Sequence, residues 1–166
     1  ELLPQIDQAI EYWKQNVMTR KDKADYQMVL FKAELLAAYF RKSESQIDAV
    51  TEPTLNYHSQ HELSPGDYKQ FYKALLYIET DPAKSHKLFD DLVNHYPDFI
   101  SFALNRMIAK INLAKATDEL KLYQEGLEEW KEVQKNIHDD NLDYLEPELS
   151  ENIMTVLNNT GDYEPL

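Results

Sequence analysis

Five histidines, thirty acids and no cysteine set the chemistry that this 166-residue chain could attempt. The lack of cysteine excludes disulfides and thiolate metal sites. His58 and His61 stand three apart with Glu62 beside them, whereas a zinc-protease helix needs the order His-Glu-x-x-His. Without a third placed ligand that pair reads as a polar surface stretch. His86 with Asp90, and Asp91 with His95, have the four-residue spacing of pairs that support a helix. Glu-x-x-His is absent, which excludes the usual di-iron bundle. The acids Asp139, Asp140, Asp143, Glu146 and Glu148 invite a calcium loop, but a loop opened at Asp139 puts Tyr144 and Ser150 where Gly and Glu are required. No Gly-x-Ser-x-Gly nucleophile turn occurs. Asn158-Asn159-Thr160 matches the short glycosylation sequon. The expectation is therefore a non-enzyme with no catalytic residue, no cofactor and no metal.

The elements that would position any site are helices. Glycine occurs only three times, at Gly66, Gly126 and Gly161, too few for hairpin turns, phosphate loops or a dinucleotide fold. Tyr26–Phe40, Tyr68–Ile78 and Phe99–Ala114 are apolar almost all round, and each is followed by a segment apolar on one side. A helix apolar all round must be covered on several faces, and a one-sided helix can cover it and face water. Leu3, Ile6, Ile10, Trp13 and Val17 define a first helix behind Pro4. Asp22 or Asp25 can cap the second, and Ser43 with Gln46 makes a capping box for the third, which Pro53 breaks or bends. Ser64-Pro65-Gly66-Asp67 and Asp81-Pro82 mark two further starts, Pro97-Asp98 separates the next pair, and Thr117 can cap a long helix to about residue 137. Glu146-Pro147 opens a last helix bearing Leu149, Ile153 and Leu157. About eight helices on short connections make an all-α single domain, residues 1–166, of stacked antiparallel helix pairs.

Charge is unevenly spread. Residues 118–166 hold 14 acids against 3 lysines, so nearly all of the net −13 lies in the last third. Nucleic-acid binding is disfavoured because phosphate neutralisation needs a basic face. The acidic third suits a solvated surface, or a face for a basic partner. No apolar run approaches the roughly 18 residues of a membrane span, so no direct membrane insertion is expected. A first residue of Glu1 suggests a trimmed or processed chain. The expected setting is soluble, in the cytoplasm or in the bacterial cell envelope after signal removal.

Ala74, Tyr77, Phe89 and Pro97 lie at the spacings of a tetratricopeptide unit, and Phe89 plus one repeat length reaches Tyr123. Over 65–137 the chain resembles the tetratricopeptide family, with a degenerate earlier pair at 24–57. The departures are that Lys73 occupies the family's glycine position, the turn 79–81 is a residue short, and the second unit lacks its closing proline. The resemblance implies an α-solenoid whose first helices line a concave peptide groove. By position, Tyr68, Phe71 and Tyr72 would face that groove from one unit, and Asn105, Arg106 and Asn112 from the next. Amide and guanidinium donors there would hold a ligand carboxylate or an extended backbone. The plainer alternative is that Arg106 pairs with a local acid.

The expected function is a non-catalytic protein- or peptide-binding adaptor or scaffold module within a larger protein or assembly. Two other readings stand beside it. One is the regulatory helical domain of a transcription regulator. The other rests on His138-Asp139, which looks like the central doublet of the helical metal-dependent phosphohydrolases. That family also needs an upstream His and a downstream Asp, for which His95 and Asp162 are the nearest candidates.

Overall fold

The computed structural model describes residues 2–16, 24–54 and 63–136, and all regular structure among them is α-helical. The helices are α1 (Leu3–Asn16), α2 (Ala24–Phe40), α3 (Glu44–Ala49), α4 (Pro65–Tyr77), α5 (Pro82–His95), α6 (Ile100–Thr117) and α7 (Leu120–Asn136). They pack in adjacent pairs, α1 on α2, α2 on α3, α5 on α6 and α6 on α7. Several features named above lie outside the described residues: Asp22, His58, His61, Glu62, the His138-Asp139 doublet, the acidic stretch 139–148, the last helix, the sequon and Asp162.

Local chemistry accounts for the helix ends. Ser43 does two jobs at the α2–α3 junction. Its N–H donates to the Ala38 carbonyl at 3.3 Å while the Lys42 N–H donates to Tyr39 at 2.8 Å, which satisfies the last carbonyls of α2. Its Oγ then accepts from the Gln46 N–H at 3.3 Å and starts α3. Lys42 takes the left-handed conformation this closure requires (φ 53°). Ser64 accepts from the Asp67 N–H at 3.1 Å and donates to the Asp67 carboxylate at 2.6 Å, opening α4. Asp81 accepts from the Lys84 N–H at 3.1 Å, with Pro82 in the first turn of α5 where no amide donor is needed.

Two expectations about helix ends are corrected and one is narrowed. Thr117 does not cap α7. It is the last residue of α6, and its hydroxyl donates to the Leu113 carbonyl at 3.0 Å; Asp118 turns left-handed (φ 55°) and the Glu119 N–H reaches Ala114. Of the two caps expected for α2, Asp25 stands inside the helix, and Asp22 lies outside the described residues. The third helix ends at Ala49, with Val50 already extended, so it stops before Pro53 can break it.

The chain forms two compact units, Glu1–Leu76 and Tyr77–Leu166. The division falls inside the stretch that carries the repeat resemblance. In the first unit Met28, Phe31, Leu35, Ala38 and Ile47 form a buried cluster, and Val50, Tyr68, Tyr72 and Leu76 pack against it. Trp13 holds α1 to α2, its ring edge-on to Tyr26 at 5.7 Å and its Nε1–H on the Tyr26 carbonyl at 3.3 Å. Lys69 and Lys73 of α4 both reach Asp48 of α3.

In the second unit Met107, Ile111, Ala114, Tyr123, Leu127, Trp130 and Val133 form the buried seam of α6 and α7. Gly126 sits where a β-carbon would come within 3.3 Å of Ile111, so the missing side chain lets α7 lie close against α6. From α5, Ser85, Phe89 and Leu92 are buried at helical spacing. Burying a side chain like Phe89 contributes about 1.5–3 kcal/mol relative to leaving it in water.

Candidate functional site

The six residues expected to line a groove fall on α4 and α6 and divide by chemistry. The aromatic half belongs to the first unit. Phe71 and Tyr72 are 5.5 Å apart between ring centroids, Tyr72 and Tyr39 5.8 Å, and Tyr39 and Phe40 5.7 Å, so four rings run in succession from α4 to the end of α2. Phe40, at the end of that run, is 41% exposed. Tyr68 is turned towards the core, edge-on to Phe31 at 6.5 Å, with the Lys32 ammonium 4.9 Å from its ring centre. Burial, more than the neighbouring Tyr68 and Tyr39, pushes the Tyr72 phenol above its ordinary value of 10.0, while Lys32 acts the other way. Tyr72 therefore stays a neutral donor at physiological pH.

The donor half belongs to the second unit, and its side chains are committed internally. Asn105 Nδ2 donates to the Ser101 carbonyl one turn back at 2.7 Å. Asn112 Nδ2 donates to the Ile78 carbonyl at 2.9 Å, satisfying a backbone group just beyond α4. Arg106 donates to Asp90 of α5 at 2.9 Å, and its Nε lies 3.4 Å from Glu129 of α7. Lys110, one turn along α6, pairs with Glu129 and, at 3.4 Å, with Glu125. These groups form a charged layer across α5, α6 and α7. Its acids were not legible as Arg106 partners, since a chain with thirty carboxylates offers many candidates.

The layer also contains His86. Its Nε2 is buried with no hydrogen-bond partner among the described residues, as are Arg106 Nε and Glu129 Oε2. Burial foremost, then the Lys110 charge, holds the imidazole below its ordinary 6.5; Glu129 and Asp90 act in the opposite direction, and Arg106 again lowers it. Among the described residues no three His, Asp or Glu side chains converge as a metal-binding group, and no helix is long and apolar enough to cross a membrane.

Sequence reasoning missed the concavity of the first unit. A cleft of about 430 Å³ opens in the first unit between α1, α2 and α3. Its apolar lining includes Ile10, Ala37, Ala38, Ala49 and Val50; beside it Lys14 of α1 pairs with Glu34 of α2, and Asp7 of α1 with Arg41 just past the end of α2. The signal was the run of small side chains, since alanines at a helix contact leave space that larger residues would fill. Those ion pairs also tie up most of the cleft's charged lining. Comparison with family models, with curated proteins and with solved structures gives no match.

Proposed function

We propose that this chain is a non-catalytic protein- or peptide-binding module whose contact surface is the aromatic run of α2 and α4. The observation that carries this reading is the succession Phe71–Tyr72–Tyr39–Phe40 on two packed helices, ending in an exposed ring. Aromatic side chains are enriched at protein interfaces because they bury large areas with few rotatable bonds. Tyr72 adds a neutral hydroxyl that can bond a peptide backbone. The tetratricopeptide resemblance is in keeping with the same reading, since its small position Ala74 and its aromatic positions Phe89 and Tyr123 are buried.

The binding face proposed here is narrower than the six residues named from sequence. Asn105, Arg106 and Asn112 have intramolecular partners, so recognition falls to Tyr72, Phe71, Tyr39 and Phe40, with Tyr68 as support from beneath. The test is selection of peptides from a random display library on the purified chain, followed by affinity measurement against Phe40→Ala and Tyr39→Ala. Enriched peptides that bind the variants at least tenfold more weakly, at unchanged thermal midpoint, support the reading. Peptides that bind wild type and variants alike, or a library that yields no enrichment, overturn it.

A further inference from the structure

We propose that His86 makes the α5–α6–α7 unit acid-labile: proton uptake at this side chain loosens the middle of α5 from α6. The placement carries the inference. His86 lies one turn before Asp90 on α5, in the layer where α6 contributes Arg106 and Lys110 and α7 contributes Glu129, with Glu125 paired to Lys110. Arg106 engages Asp90 Oδ1 and Lys110 engages Glu129 Oε1, and Glu129 Oε2, which has no hydrogen bond of its own, makes none to His86. The buried Nε2 has no acceptor of its own among the described residues. A proton there creates a third cation beside two fixed ones, with a buried N–H to satisfy.

Two responses relieve this. The ring can swing to solvent, which leaves a gap beside α6, or it can draw Glu129 from Lys110, which leaves that lysine with Glu125 alone. The first weakens the seam between α5 and α6, the second the pairing of α6 with α7. The folded state holds its proton less tightly than the unfolded chain does, so stability is full above the unfolded value near 6.5 and falls as the pH drops below it. Mild acid is thus the condition to which this unit responds, and histidine is the side chain whose ordinary titration lies there.

The experiment uses the whole chain. The His86 ring protons are followed by NMR from pH 8 to pH 5, assigned by their loss in His86→Gln. The expected midpoint lies below 6.5, and amide exchange in α5, corrected for intrinsic rate, accelerates through the same transition. Thermal midpoints of wild type and His86→Gln are then compared at pH 7.5 and 5.5. The difference between them should shift in favour of the variant at the lower pH, which isolates His86 from every other titrating group. Lys110→Met should raise the His86 midpoint. A His86 midpoint at or above 6.5, or a wild-type-to-variant difference independent of pH, overturns the proposal.

Discussion

Replacing Arg106 by Ala separates two accounts of this side chain, because an internal pair and a ligand clamp differ in what its loss does to the empty protein. The guanidinium is 22% exposed; its partner Asp90 is 47% exposed and Glu129 18%. The Asp90 pair is screened by solvent and contributes about 0.2–1 kcal/mol. The Glu129 pair is more sheltered, but Lys110 still holds that carboxylate, so only part of the roughly 3–5 kcal/mol for breaking a buried pair applies. With the lost packing of the aliphatic stem, the total comes to about 2 kcal/mol. For a chain of this size that lowers the thermal midpoint by roughly 4–8 °C. Circular dichroism melting reads the shift, and a double-mutant cycle with Glu129→Gln should show a coupling of about 1 kcal/mol between the two sites. A loss below about 0.5 kcal/mol with no coupling would refute the internal role and return Arg106 to the set of ligand-facing candidates.

Four further outcomes follow from the same structure. Lys42→Gly should raise stability by about 0.5–1 kcal/mol in urea unfolding, since glycine takes the left-handed conformation without the β-carbon clash. Asp81→Ala should cost about 1 kcal/mol by removing the acceptor for the Lys84 amide, measured the same way. Gly126→Leu should destabilise the α6–α7 seam by about 1–3 kcal/mol, because Ile111 is fully buried and has little room to move; a neutral result would place the two helices farther apart. The raised Tyr72 pKa means that its contribution is full below pH 10 and is lost as the pH rises through the folded value, so wild type should lose stability relative to Tyr72→Phe above pH 10.

What could be read from sequence divides by the range of the interactions involved. The starts at Ser43, Ser64 and Asp81 depend on a side chain and an amide three residues on, and the spacing alone locates them. The all-α class follows from helical periodicity in the same way, and the repeat spacing picks out Ala74, Phe89 and Tyr123, all of which are buried. Thr117 was misread because a threonine before a helix and one in a last turn look alike; the left-handed turn at Asp118 decides between them, and no glycine marks it. The candidate site was legible only in part. Phe71 and Tyr72 did come together with Tyr39, but Tyr39 and Phe40 are more than thirty residues away in the chain and no periodicity joins them. Arg106 and Asn112 have partners 16 and 34 residues distant, and such pairings depend on how helices cross rather than on local spacing.

The binding reading is tested most directly by mapping where a selected peptide touches the chain. Backbone and aromatic NMR shifts are recorded for the full chain with and without saturating peptide. The account predicts shifts centred on Tyr39, Phe40, Phe71 and Tyr72. Shifts centred instead on Arg106 and Asn112, or on the cleft lined by Ile10, Ala38 and Val50, would contradict it.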